Sequence, residues 1–154
     1  RQMCIRDSHK MLSTEINIIL KESQSFLGCF AIDMLPPFPK LLPASLIVNT
    51  DTSGGSGEHW LALILHVDEC FYFDSFGLPI LEEQLIRYLE PHYDLVFYSD
   101  VCIQHLESIN CGKFCIAFIK YVNSKLEYYN FLSCFNQLNL RKNDMIIEYL
   151  LSAI

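Results

Sequence analysis

His59, Asp74, Gln104 and Cys111 together make up the parts of an activated thiol. A cysteine attacks a carbonyl as its thiolate, and an ordinary thiol with pKa ~8.5 is only partly ionised at neutral pH. An imidazole beside it takes the proton, and a carboxylate holds that imidazole in one tautomer. The tetrahedral intermediate then needs donors for its oxyanion, often one side-chain amide and one backbone N–H. Each part has a seat in the chain. Cys111 opens an apolar stretch, CGKFCIAFIKYVN, that reads as a helix. A helix N-terminus turns free N–H groups and a positive dipole end toward such a sulfur. Gly112 permits a close approach by another segment. Gln104 lies seven residues earlier, close enough to reach across the loop. His59 and Asp74 stand at the entrance and exit of two apolar runs, where antiparallel pairing brings ends together.

The elements that must position these residues follow from periodicity and breakers. Residues 13–22 read as a short helix with Ile16, Ile19 and Leu20 on one face and Ser13 as N-cap. Residues 35–43 hold four prolines and read as an extended connector. Strands are expected at 45–49, 60–67 and 71–75, with a Gly/Ser loop at 51–58 that is mobile over Gly54 to Gly57. Gly77-Leu78-Pro79 breaks the chain before an amphipathic helix at 81–90, which Pro91 stops. Short strand segments follow at 95–99 and 102–104, then the buried helix at 111–123. Residues 126–138 fit either type, and 144–152 read as a last helix with Asp144 at its start. Helix, small mixed sheet, helix, strand and two or more helices make an α+β domain. One element resists this scheme. A two-residue turn at Asp68-Glu69 sets Leu63, not His59, opposite Asp74. The offset of four residues is about 13 Å along a strand. A turn centred on His66-Val67, or a bulge, would remove it.

Composition bounds the rest. The chain has 154 residues, enough for one domain with its own core, and 51% of them are hydrophobic against 19% charged, which excludes disorder. Its apolar runs, such as 60–65 and 115–119, fall far short of the ~18 residues of a membrane span, so no membrane partner is expected. The net charge of −7 argues against a nucleic-acid-binding module. The first eight residues, RQMCIRDS, read as one frame through a transposase adapter used in sequencing libraries; 1–8 are set aside and 9–154 taken as a single domain. Of the seven cysteines, Cys4 falls in that segment. Cys29, Cys70, Cys102, Cys115 and Cys134 are spread singly and read mostly as buried reduced thiols.

The ordered set His59-Trp60, FDSFG with Asp74, Gln104, and Cys111-Gly112 resembles the adenovirus-type endopeptidase (adenain) family of cysteine proteases, related to the ubiquitin-like-protein-specific proteases. The order His…Asp…Gln…Cys reverses that of papain, and the step from Gln104 to Cys111 resembles the adenovirus branch. FLG at 26–28, IVNT at 47–50 and CGKFC at 111–115 add to the likeness. The chain is shorter than those enzymes and its His-to-Asp spacing tighter, a form similar to proteases of Maverick/Polinton or other adenovirus-related elements. The resemblance implies a papain-like core with a small mixed sheet packed on a buried helix carrying the nucleophile at its N-terminus. It implies a catalytic set of His59, Asp74 and Cys111, and an oxyanion hole of Gln104 and the Cys111 N–H. It also implies a substrate groove at Gly57, Trp60, Asn110 and Gly112. No metal or organic cofactor is implied. Polypeptide substrates cleaved at Gly-containing sites, in structural proteins of a virus or virus-like element, are implied as well. So are an activating peptide and DNA, the latter at odds with the acidic balance. A monomer inside the cell, in host nucleus or cytoplasm or in the virion, is the expected setting.

Other readings stay open. Removal of a ubiquitin-like modifier ending in Gly-Gly uses the same parts. An inactive protease-fold binder keeps the fold alone. Cys102, His105, Cys111 and Cys115 form C-x2-H-x5-C-x3-C, whose thiolates and imidazole suit zinc, but that spacing is no standard finger and leaves His59 and Asp74 unexplained. Singly, His59 is a loop-edge histidine, Asp74 a turn carboxylate, Gln104 a strand residue and Trp60 a core aromatic. His66, His92 and His105 read as solvated or structural.

Overall fold

A computed structural model describes residues 10–23 and 25–153; the adapter-like segment and Cys4 lie outside them. Helix α1 (Ser13–Leu20) leads into β1 (Phe26–Ala31), β2 (Ala44–Asn49), β3 (Trp60–Leu65) and β4 (Cys70–Phe73). Then come α2 (Glu83–Leu89), β5 (Val96–Phe97), α3 (Cys111–Tyr121), α4 (Lys125–Ser133), a 3₁₀ turn (Leu140–Lys142) and α5 (Asn143–Ser152). The five strands lie side by side in chain order. β1 is parallel to β2, β2 and β3 are antiparallel, as are β3 and β4, and β5 returns parallel to β4. This is the α+β class expected from the sequence, with a mixed sheet.

Every residue of β2, β3 and β4 is buried, which explains why WLALIL runs apolar without alternation: the sheet is covered on both faces. The period of two still sorts the side chains. Ile47, Ala62, Ile64, Phe71 and Phe73 face the core that contains α3. Leu46, Val48, Leu61, Leu63 and Tyr72 pack with Leu85 and Leu89 of α2. Helix α3 is buried over its first eight residues. Phe118 stacks on Phe73 at 4.6 Å between ring centroids, and burying such a ring is worth about 1.5–3 kcal/mol. Lys113, also buried, pairs with Glu148 of α5. Tyr128 of α4 donates its hydroxyl to the Tyr72 carbonyl at 2.5 Å, tying helix to sheet through the core.

Several expectations need correction. Strand β1 has no counterpart among the expected strands. It is a half-buried edge with an irregular register between Phe26 and Cys29 and a left-handed Gly28, so it lacks a clean alternation. Ser13 does not cap α1; Leu12 precedes the helix, and the Glu15 carboxylate reaches back to accept its N–H at 2.7 Å. The strand expected at 102–104 is absent, because Ile103 N and Gln104 N both donate to the Ser75 carbonyl, at 2.9 and 3.1 Å, instead of to a neighbouring strand. The segment at 95–99 pairs only over Val96–Phe97, and the ambiguous stretch resolves as the helix Lys125–Ser133, capped by the Ser124 hydroxyl. The loop at 51–58 is tied near its ends, where Asp51 accepts the N–H of Thr52 at 2.8 Å and of Gly57 at 3.0 Å. Among the thiols, Cys70, Cys111 and Cys115 are buried, Cys29 and Cys102 are partly so, and Cys134 is exposed.

Candidate active site

The β3–β4 pairing sets Ala62 against Phe73 and Leu65 against Cys70, with His66 N donating to the Glu69 carbonyl at 2.9 Å across the turn. The turn therefore centres on Val67-Asp68, one residue before the expected Asp68-Glu69. Continuing that register places Leu61 opposite Asp74 and His59 opposite Phe76. Neither the His66-Val67 turn nor a bulge is used. His59 and Asp74 are instead diagonal neighbours, a separation that long side chains bridge. His59 Nε2 and Asp74 Oδ1 stand 2.8 Å apart.

Both partners are fixed from behind. The His59 carbonyl accepts the Thr50 N–H at 2.9 Å, which locks the residue to the end of β2. Its ring stacks on Phe76 at 4.8 Å. The same Asp74 oxygen accepts the Phe76 N–H at 2.8 Å, and the Asp74 carbonyl accepts that of Gly77. Gly77 has φ of +73°, and a Cβ there would lie 2.7 Å from the Asp100 carbonyl oxygen, so the turn needs glycine. The FDSFG run thus builds a tight corner that presents one carboxylate oxygen to the imidazole.

With Nε2 on the carboxylate, Nδ1 is left for the sulfur, and the His59 ring hydrogen-bonds Cys111. Cys111 is the first residue of α3, and its sulfur also receives the backbone N–H groups of Trp60 and Gly112. One turn on, Cys115 donates its thiol to the Trp60 carbonyl at 3.3 Å. The two cysteines therefore clasp one residue's backbone from both ends and join the helix start to β3. Trp60 lies close over Gly112: a Cβ there would be 3.1 Å from the indole Cδ1 and 3.1 Å from Met11 Cβ. The indole N–H donates to the Met11 carbonyl at 3.1 Å.

The electrostatics separate Cys111 from the other thiols. Burial works against charge on His59, but hydrogen bonds and attraction from Asp74 and Cys111 prevail and raise the imidazole from 6.5 to about 9. Burial likewise opposes the Cys111 thiolate; the His59 hydrogen bond and charge, then the two backbone N–H groups, overcome it and lower the pKa. Burial alone acts on Cys29 and Cys70 and pushes each up to about 12. Burial also holds Cys115 well above the ordinary value, helped by nearby negative charge. The pair is thus disposed to exist as thiolate and imidazolium, titrating as a unit. The sign gives a bell. Activity should fall on the acid side as the thiolate of Cys111 is protonated, at a pH below that of an ordinary thiol. It should fall on the alkaline side near pH 9, as His59 loses the proton that a leaving group needs. A pH–kcat/KM profile checks this; activity still rising beyond pH 10 would contradict it.

Gln104 is 2% exposed and doubly held. Its Oε1 accepts the Ser75 hydroxyl, and its Nε2 donates to the Ser108 carbonyl at 2.8 Å. An amide nitrogen has two hydrogens, so one remains after that bond. Gly57, Trp60 and Cys111 share a cavity of about 260 Å³ with Met11, Leu12 and Thr52. Of the other expected groove residues, Asn110 turns its side chain to Asp144 at 3.0 Å, and Gly112 lies under Trp60 and Met11. Sequence reasoning missed Ser75, Phe76 and Asp144 as supports. The first two flank Asp74 inside FDSFG, and that adjacency was the available signal. Among the described residues no three His, Cys, Asp or Glu side chains gather as metal ligands, Cys102, His105, Cys111 and Cys115 included. No helix among those residues is long and apolar enough to cross a membrane.

No family profile matches the chain, and no curated protein matches it. Among solved structures it is similar to the ASFV pS273R protease, determined with selenomethionine, at 20% sequence identity and a TM-score of 0.44. The match covers 70% of this chain and 43% of that one, so this chain spans less than half of that protein's length. At that identity and score the likeness assigns no chemistry here.

Proposed function

We propose that this chain is a cysteine endopeptidase. One observation carries the reading: a lowered thiol at the start of a buried helix meets an imidazole whose other nitrogen sits 2.8 Å from a buried carboxylate. In the proposed cycle the Cys111 thiolate attacks the scissile carbonyl. The oxyanion is held by the free N–H of the Gln104 amide and the Cys111 backbone N–H. His59, oriented by Asp74, protonates the leaving amine, and water then hydrolyses the acyl-enzyme with His59 as base.

Gly57 and Trp60 line the cavity that opens on Cys111, and the resemblance points to glycine beside the scissile bond. Extended peptides from structural proteins of a virus or virus-like element are the proposed substrates. The test is hydrolysis of short Gly-Gly peptides by the native chain and by Cys111→Ala. Cleavage by the former and none by the latter is expected. Equal turnover in both removes Cys111 from the chemistry. Cleavage of modifier fusions with none of short peptides would move the assignment to a deconjugase.

A further inference from the structure

We infer that Asn143 and Asp144, the first two residues of α5, are positioning residues for the oxyanion side of the site. The inference rests on the peptidase reading. Asn143 is fully buried, and its Nδ2 donates to the Ile103 carbonyl at 2.8 Å, one residue before Gln104. The rest of that amide is satisfied by Asn136: Nδ2 donates to its carbonyl at 2.8 Å and Oδ1 accepts its N–H at 2.7 Å. Asp144 Oδ1 accepts the Ser108 hydroxyl at 2.6 Å and the Asn110 side-chain amide at 3.0 Å. Two adjacent residues therefore grip both ends of the segment from Gln104 to Cys111.

The grip reaches the chemistry through Ser108. That residue's carbonyl is the acceptor that fixes the Gln104 Nε2, at 2.8 Å, and so sets where the second amide hydrogen points. Its hydroxyl, held by Asp144, also accepts the Asn110 N–H at 3.2 Å, next to Cys111. The exposed Arg141–Glu107 pair braces the same loop from solvent, where an ion pair contributes little. The imidazole arm meets this segment at Ser75, next to Asp74, but has supports of its own. His59 and Asp74 are held by Thr50, Phe76 and Gly77, none of them on α5. Loosening Asp144 should therefore disturb oxyanion binding and spare thiolate formation, a split that general destabilisation does not produce.

The experiment uses the full chain and three readouts. These are kcat and KM on a Gly-Gly peptide, inhibition by a peptide aldehyde, and the rate of Cys111 alkylation by iodoacetamide. The aldehyde adds the thiolate to its carbonyl to give a hemithioacetal; its oxygen takes the oxyanion place, and the proton comes from His59. For Asp144→Ala the expected result is a fall in kcat of roughly 10-fold to 10²-fold, the upper end being what a misplacement of about 1 Å costs. Aldehyde affinity should fall in parallel, with KM and the alkylation rate unchanged. Asp144→Asn should restore most of the loss, because it keeps the oxygen that accepts both bonds. Should Asp144→Ala not fold, Ser108→Ala severs the same link and keeps the carbonyl, and the same split is expected of it. Unchanged kcat in a folded Asp144→Ala variant of an active enzyme overturns the inference and leaves the peptidase reading standing. Parallel loss of alkylation and aldehyde binding, unrescued by asparagine, also overturns it. A native chain that neither cleaves the peptide nor binds the aldehyde overturns the peptidase reading, and the inference with it.

Discussion

Replacing His59 by alanine should make Cys111 behave like the other buried thiols of this chain. Burial is the largest influence on Cys111 and acts to raise its pKa; the His59 hydrogen bond and charge come next and turn the balance. With the ring gone, what remains is burial against two backbone N–H groups. The thiol should then shift upward, in the direction of Cys29 and Cys70 at about 12. Two measurements follow. Iodoacetamide at neutral pH should label Cys111 first in the native chain, and in His59→Ala that preference should disappear. Peptide hydrolysis should fall by a factor on the order of 10⁶, the scale seen when a triad base is removed from a serine protease, because attack and leaving-group protonation share one residue. A variant that keeps both its labelling preference and its turnover would show that another group ionises the sulfur.

Gln104→Ala should separate turnover from binding. The amide acts on charge that exists only after attack, so kcat should fall by ~10²–10³ with KM little changed. The structure adds a complication that the sequence did not show. Gln104 is buried, and its removal leaves the Ser75 hydroxyl and the Ser108 carbonyl without their partner. An orphaned buried polar group costs about 1–3 kcal/mol, so the alanine variant should also melt earlier. Gln104→Met fills the same space without either bond, and Gln104→Glu keeps the acceptor for Ser75 but replaces the donor by an acceptor. If turnover follows melting temperature across these variants, the amide is structural; if kcat drops equally in all three whatever their stability, it is a donor to the reacting oxygen. Unchanged kcat in any folded variant lacking the amide hydrogens removes Gln104 from the mechanism.

What could be read from the sequence, and what could not, divides along a physical line. That His59, Asp74 and Cys111 meet was legible because each sits at the end of a strongly patterned element, and element ends in a small sheet converge. The register that joins them was not. A turn one residue earlier than Asp68-Glu69 is enough to change which residues oppose, and Val67, Asp68 and Glu69 offer no glycine to fix the turn. Strand β1 escaped because its alternation is broken at Gly28 and its Cys29 N–H bonds to the Asn17 side chain, at 3.1 Å, not to a strand. The segment around Gln104 looked like a strand because it is apolar and buried; its backbone is satisfied by Ser75 and Asn143, partners that local pattern does not reveal. Asp144 was visible only as a helix start. Its partners, Ser108 and Asn110, lie 36 and 34 positions back in the chain.

The clasp of Trp60 by Cys111 and Cys115 has a consequence in time as well as in space. The imidazole and its carboxylate belong to one hairpin, 15 positions apart. The sulfur belongs to a helix further along, and it meets the imidazole only when that helix docks on β3. A chain in which that helix is not docked therefore lacks the contact that ionises the thiol. As the helix seats, Cys115 is buried and loses reactivity, while Cys111 is buried and gains it. Docking of the helix is therefore the step that arms the thiol.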